Sequence, residues 1–221
     1  MTTLDTPIGD LARDQPSSTR VFLRHKLDFC CAGRRTLREA CAKAGLDGDQ
    51  IAHELAVATA AAPATSWDLR PSHELVDHIV GRYHDGLRRD LPSLIDAARK
   101  VERVHAARPG VPAGLADELT EFWTEMEQHL IKEERVVFPM LRMGVRGAQV
   151  YMPVRVMEHE HHSQAAELTR FRELTSDLQL PAHACATWTA LYHGLAAMEV
   201  DLIEHIHLEN NVLFPRAGRD G

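Results

Sequence analysis

Long apolar runs are missing from this 221-residue sequence: no stretch approaches the roughly 20 residues needed to span a bilayer. Positive charge is not in excess either. The 25 Lys and Arg stand against 32 Asp and Glu, for a formal net charge of −7, whereas a dedicated nucleic-acid binder would show a basic stripe. The opening residues MTTLDTPIGD carry neither a basic n-region nor an apolar h-region, so no secretory signal is expected and the chain reads as cytoplasmic. Aromatics are scarce at 5 %, while Ala, Leu and Glu abound, which favours helix over sheet. Of only four cysteines, Cys41 and Cys185 read as small hydrophobes in a reducing compartment. Histidine is the surplus: its 14 copies outnumber Phe, Trp and Tyr combined, a prompt to look for metal-ligand spacing.

The predicted fold is all-α. A small helical N-terminal domain over 1–57 precedes an Ala- and Pro-bounded linker over 58–71 and a four-helix bundle over 72–221. In the N-terminal domain, Thr36-Leu-Arg-Glu39 has the form of a capping box, and Asp47 stands as N-cap before Ile51-Ala-His-Glu-Leu55. In the bundle, helical patterns run over about 72–106 with a kink expected at Leu91-Pro92, 115–140, 154–178 and 182–213. The short Gly/Pro connections between them imply antiparallel neighbours in up-down order.

An internal repeat organises the bundle. His129-Leu-Ile-Lys-Glu133, followed by Phe138-Pro139, recurs as His205-Ile-His-Leu-Glu209 followed by Phe214-Pro215, every landmark displaced by 76 positions. His84 recurs as His161 at a displacement of 77. Each half thus carries one His on its first helix and His-x-x-x-Glu on its second.

Residues four apart share a helix face, and the faces in question are apolar. Leu115, Leu119, Phe122, Met126, His129 and Glu133 form one stripe; Trp188, Leu191, Leu195, Met198, Leu202, His205 and Glu209 form another. His84 shares a stripe with Val80, Leu87 and Leu91, and His161 with Val154, Met157 and Leu168. All six groups are therefore expected in the bundle centre, where imidazoles and carboxylates cost several kcal/mol unless paired, protonated or metal-bound. Four imidazoles and two carboxylates offer about eight ligand atoms, enough for two ions that keep open positions, a set suited to iron or manganese rather than structural zinc. An oxo or hydroxo bridge would complete such a pair of non-haem irons and leave room for dioxygen or nitric oxide. In Glu158-His159-Glu160-His161-His162, the stripe and the repeat both select His161; Glu160 is a candidate to orient a ligand or relay a proton. His207 faces away from the His205/Glu209 side, and His73, His78, His105, His183 and His193 read as surface or packing residues.

Cys30 and Cys31 stand just ahead of the helix that Thr36 caps, beside Arg34 and Arg35. Helix terminus and arginines together are expected to lower a thiol pKa, and any disulfide between adjacent cysteines would be strained and labile. Redox chemistry, iron handling, partner docking and simple turn packing all remain open for this pair.

The chain resembles the repair-of-iron-centres proteins (YtfE/ScdA/DnrN-like). The resemblance rests on Asp28-Phe-Cys-Cys-Ala-Gly33, Arg82-Tyr-His-Asp85, Lys100-Val-Glu-Arg-Val-His105, the run His129 to Pro139, and His205-Ile-His-Leu-Glu-Asn-Asn-Val-Leu-Phe-Pro215. It covers nearly the whole chain; His159 departs from the pattern. It implies a hemerythrin-like bundle with a di-iron centre ligated by His84, His129, Glu133, His161, His205 and Glu209, the two Glu bridging. It implies a role in restoring iron–sulfur clusters damaged by nitrosative or oxidative stress, with damaged iron–sulfur proteins as partners and nitric oxide or dioxygen as small-molecule ligands. Neither nucleic acid nor membrane is an expected partner, a homodimer is compatible, and iron donation and nitric oxide reduction are both left open as activities. The alternative is a hemerythrin-like carrier or sensor of dioxygen or nitric oxide.

Overall fold

The structure is a computed structural model describing residues 3–60, 67 and 70–218, and among them it is all-α. Helices α1 (Ile8–Asp14), α2 (Ser18–Arg24), α3 (Leu37–Ala44) and α4 (Gly48–Ala60) come first. The long stretches follow. The first joins α5 (Ser72–Ile79) through a π segment, Val80–His84, to α6 (Asp85–His105). The second joins α7 (Leu115–Lys132) through a π segment, Glu133–Val137, to α8 (Phe138–Arg142). Next come α9 (Ala148–Leu174), α10 (Ala186–His207) with its π segment Leu208–Leu213, and α11 (Pro215–Gly218). Most of the linker expected at 58–71 lies outside the described residues, and its first three residues are the last turn of α4.

The chain divides into two compact units. The first joins residues 1–76, 141–152 and 203–221. Its core packs Ile8, Leu11, Val21, Phe22, Phe29, Leu37, Ile51 and Leu55, with Ile203 against them. The expected caps are present. Thr36 Oγ1 accepts from the Glu39 N–H at 3.2 Å while Glu39 accepts from the Thr36 N–H at 2.9 Å, and Asp47 accepts from the Asp49 N–H at 2.9 Å.

The second unit joins residues 77–140 and 153–202 and is a ring of four helices. Arg88 meets Glu127 and the Ala116 N–H meets Glu102, so α6 and α7 run antiparallel. Arg170 meets Glu118 and Lys132 meets Glu160, so α7 and α9 do too. Arg172 joins α9 to α10 through Glu199. The ring closes where Arg82 meets Asp201 and His105 packs on Trp188. The four apolar stripes face inward, as patterning demands.

Three boundaries differ from expectation. Helix α9 begins six residues early and keeps Pro153 within its first turns. It ends four residues early, where Ser176, Asp177 and Leu178 all take positive φ. No Gly announces that turn; it is held by Thr175 Oγ1, which accepts from the Leu178 N–H, and by an Arg172–Asp177 ion pair. Helix α10 starts at Ala186 rather than 182, after a turn in which the Ala184 N–H donates to Pro181.

Candidate metal centre

The second unit gathers four of the six expected ligands, three imidazoles around one carboxylate. His84 and Glu133 belong to π segments, His129 lies in the last turn of α7, four residues before Glu133, and His161 lies mid-way along α9. His84, Glu133 and His161 have no solvent exposure and His129 has 2 %. One Glu133 oxygen, Oε2, lies 3.4 Å from His84 Nε2. The other, Oε1, lies 3.3 Å from His129 Nε2 and 3.7 Å from His161 Nε2. The carboxylate therefore faces imidazole nitrogens on two sides. Neither of its oxygens receives a well-formed hydrogen bond, although a buried carboxylate left so costs several kcal/mol. His129, Glu133 and His161 bring ligand atoms within 4.8 Å of one another.

In the first unit, His205 and Glu209 are also fully buried. Their Nε2 and Oε1 atoms meet at 3.0 Å across one helical turn. This is the relation that the repeat requires of them, since Glu209 follows His205 as Glu133 follows His129.

The outward nitrogens are held by further carboxylates. His129 Nδ1 lies 2.8 Å from Glu160, which also accepts from Lys132. His84 Nδ1 lies 2.8 Å from Glu134, which also accepts from Arg88. A proton held at Nδ1 leaves Nε2 as a lone pair for an ion. Burial pushes the His129 pKa down, but the Glu133 and Glu160 carboxylates outweigh it and raise it to about 9. Burial likewise pushes Glu133 up, and the facing imidazoles, His129 foremost, outweigh it and hold the carboxyl well below its usual range. The hydrogen bond from His129 lowers Glu160 to about 2 against the opposing effect of burial. Both shifts have one cause, the close approach of buried imidazole and carboxylate, and that is a donor set suited to a cation.

Burial separates the three neighbouring histidines: His161 is buried, whereas His159 and His162 are exposed and His162 Nδ1 donates to the Glu158 carbonyl at 2.7 Å. His207 is a buried packing residue, its ring 5.2 Å from that of Phe29. Sequence reasoning missed Glu134 and Arg88. The available signal was the question of which group occupies the outer nitrogen of His84.

Cys30 departs from expectation. Cys30 is buried, its Sγ 3.7 Å from Cys31 Sγ and 3.4 Å from Asp28 Oδ1. Contact with Cys31, burial and the Asp28 carboxylate push the Cys30 thiol well above its usual range. The lowering expected from the helix terminus and arginines does not reach it.

The sequence matches the profile of the hemerythrin HHE cation binding domain over residues 75–217. The chain belongs to that family. Residues 4–59 match a second profile, described as a domain of unknown function (DUF542). The chain is similar to the iron-sulfur cluster repair protein YtfE of Dickeya chrysanthemi, at 45 % identity over 97 % of both chains. It is similar to that of Cronobacter sakazakii at 46 % identity over 96 % of both. The family's hemerythrin-like, all-α fold is the one observed, and no helix among the described residues is long and apolar enough to cross a membrane.

Proposed function

We propose that this chain is a di-iron protein that takes part in the repair of iron–sulfur clusters damaged by nitrosative or oxidative stress. Two non-haem irons, joined by an oxo or hydroxo group, are held by His84, His129, Glu133, His161, His205 and Glu209. Glu133 and Glu209 are the bridges. The observation that carries this reading is the Glu133 carboxylate, buried, without a well-formed hydrogen bond, and facing imidazole nitrogens from both oxygens. The donor set of imidazole and carboxylate suits iron. When bound, the pair supplies redox chemistry toward small molecules such as nitric oxide or dioxygen. The chain's own residues do the rest. Glu160 keeps a proton at His129 Nδ1 and so turns Nε2 inward, and the apolar stripes of Met126, Leu195 and Leu202 keep bulk water out.

The relatives are iron-sulfur cluster repair proteins, which supports repair as the role; on this reading the partners are damaged iron–sulfur proteins, met in the cytoplasm. The N-terminal domain over 1–57 brings Cys30 and Cys31 to that task as a redox or docking element. Metal analysis tests the reading: protein from iron-replete cells should carry about two irons per chain, magnetically coupled, and Glu133→Leu and Glu209→Leu should each lose the coupling while keeping helical content. One equivalent of zinc, or no metal, overturns it. Stoichiometric nitric oxide or dioxygen binding with no restoration of damaged clusters would instead favour a carrier or sensor.

A further inference from the structure

Glu133 and Glu134 are adjacent, yet both reach the same imidazole. Glu133 Oε2 faces His84 Nε2, and Glu134 Oε1 lies 2.8 Å from His84 Nδ1. In an α-helix neighbouring side chains diverge by about 100°; the wider turn of the π segment Glu133–Val137 narrows that angle. Glu134 is itself fixed: Arg88 donates to its Oε1 at 2.7 Å and anchors its own Nε on Glu127 at 3.2 Å. On its other side the His84 ring stacks on Phe138, centroids 5.6 Å apart.

The repeat isolates this pair. Displaced by 76, Glu134 becomes Asn210, whose Nδ2 donates to the Cys30 carbonyl at 3.2 Å. Displaced by 77, Arg88 becomes Ala165. Both members of the clamp are lost together in the second half, although the proposed ligands themselves recur. Two residues that change as a unit while the ligand between them is kept form a device of their own.

Resting on the di-iron reading, we infer that Glu134, held by Arg88, is the positioning residue for His84. It keeps the ring's proton on Nδ1 and aims Nε2 at the metal.

The test measures iron loss to a chelator from the loaded protein, together with the Mössbauer spectrum. Glu134→Ala should lose iron about 10- to 100-fold faster than wild type, with helical content unchanged. Only one of the two iron doublets should shift, because His84 is the one proposed ligand whose outer nitrogen Glu134 holds. Glu134→Gln keeps an acceptor oxygen and should fall between wild type and Glu134→Ala. Arg88→Gln, which leaves the core untouched, should move in the same direction by a smaller factor. Glu121→Ala removes an equal charge from an exposed position on α7 and should behave as wild type. Wild-type retention in Glu134→Ala, or equal shifts in both doublets, overturns this inference alone. A wild-type protein that binds no iron overturns the di-iron reading and this one with it.

Discussion

Replacing Gly33 by Ala is a small change with a large calculable consequence. The Gly33 carbonyl accepts from the Gly9 N–H at 2.9 Å, so two backbones touch at this point. A Cβ at Gly33 would lie 2.6 Å from Asn211 Oδ1, 2.8 Å from the Phe29 carbonyl oxygen and 3.1 Å from the Gly9 Cα. Two of those three atoms are backbone, and the third belongs to an amide already committed. Asn211 Nδ2 donates to Phe29 and Cys30 carbonyls at 3.1 and 3.3 Å and lies 3.1 Å from His207 Nδ1. The methyl therefore cannot be accommodated by one rotamer change. Overpacking costs about 1–3 kcal/mol, and a displaced Asn211 bond about 1 kcal/mol more. Reduced freedom of the unfolded chain returns about 0.4–1 kcal/mol. The net loss is about 1–3 kcal/mol, or roughly 3–10 °C in Tm for a chain of this size. Thermal and urea melts followed by circular dichroism read it directly. Gly81→Ala is the control, since a Cβ there meets nothing within 4 Å; it should stabilise by about 0.5–1 kcal/mol. A Gly33→Ala protein as stable as wild type would refute the close-approach reasoning.

Burial, the charge of Arg13 and contact with Ala12 set the His207 pKa at about 3, the first two lowering it. The folded state then binds fewer protons than the unfolded one below pH ~6.5, so stability is complete above that pH and falls as pH drops toward 3, by about 2 kcal/mol at pH 5; a His207 NMR titration midpoint between 6 and 7 would sink this. Backbone N–H groups of Trp188 and Thr187, at the start of α10, lower the Cys185 thiol, whereas burial raises Cys41. Iodoacetamide followed by peptide mass mapping should label Cys185 well before Cys41, contrary to the reading of both as inert small hydrophobes; equal rates would contradict the geometry. Thr36→Ala removes one arm of a complete capping box and should cost about 1 kcal/mol, measured as a shift in the urea midpoint at constant slope.

The legible part of this molecule is the part written at helical spacing. Leu119, Phe122, Met126, His129 and Glu133 announce a buried stripe because two polar residues, the proposed ligands, occupy positions where apolar residues are due. The repeat then names the partners, since chance does not reproduce His-x-x-x-Glu and Phe-Pro at one displacement. The caps at Thr36 and Asp47 were legible for a similar reason, being local bonds between residues two or three apart. What escaped notice depends on contacts between distant segments. Asn211 over Gly9 and Gly33 is one case, and Arg88 reaching Glu134 from another helix is a second. The left-handed turn Ser176 to Leu178 escaped because its side chains are ordinary and its support comes from Arg172 and Thr175.

The π segments show why the site is more than its periodicity. The three among the described residues are Val80–His84, Glu133–Val137 and Leu208–Leu213, and each contains a proposed ligand: His84, Glu133 or Glu209. A π turn holds one residue more than an α turn and weakens the local hydrogen-bond ladder. Its recurrence on three stretches therefore calls for a compensating interaction. At Glu133 that interaction is visible in the geometry. An unbroken α-helix would turn Glu134 farther from the face that Glu133 shares with His129. The wider turn lets Glu133 present both oxygens to imidazoles while Glu134 grips the far nitrogen of His84. Sequence periodicity counts residues per turn as constant, so it places His129 and Glu133 on one face and stops there. The local unwinding, invisible to that count, is what brings two consecutive glutamates to opposite ends of a single ring.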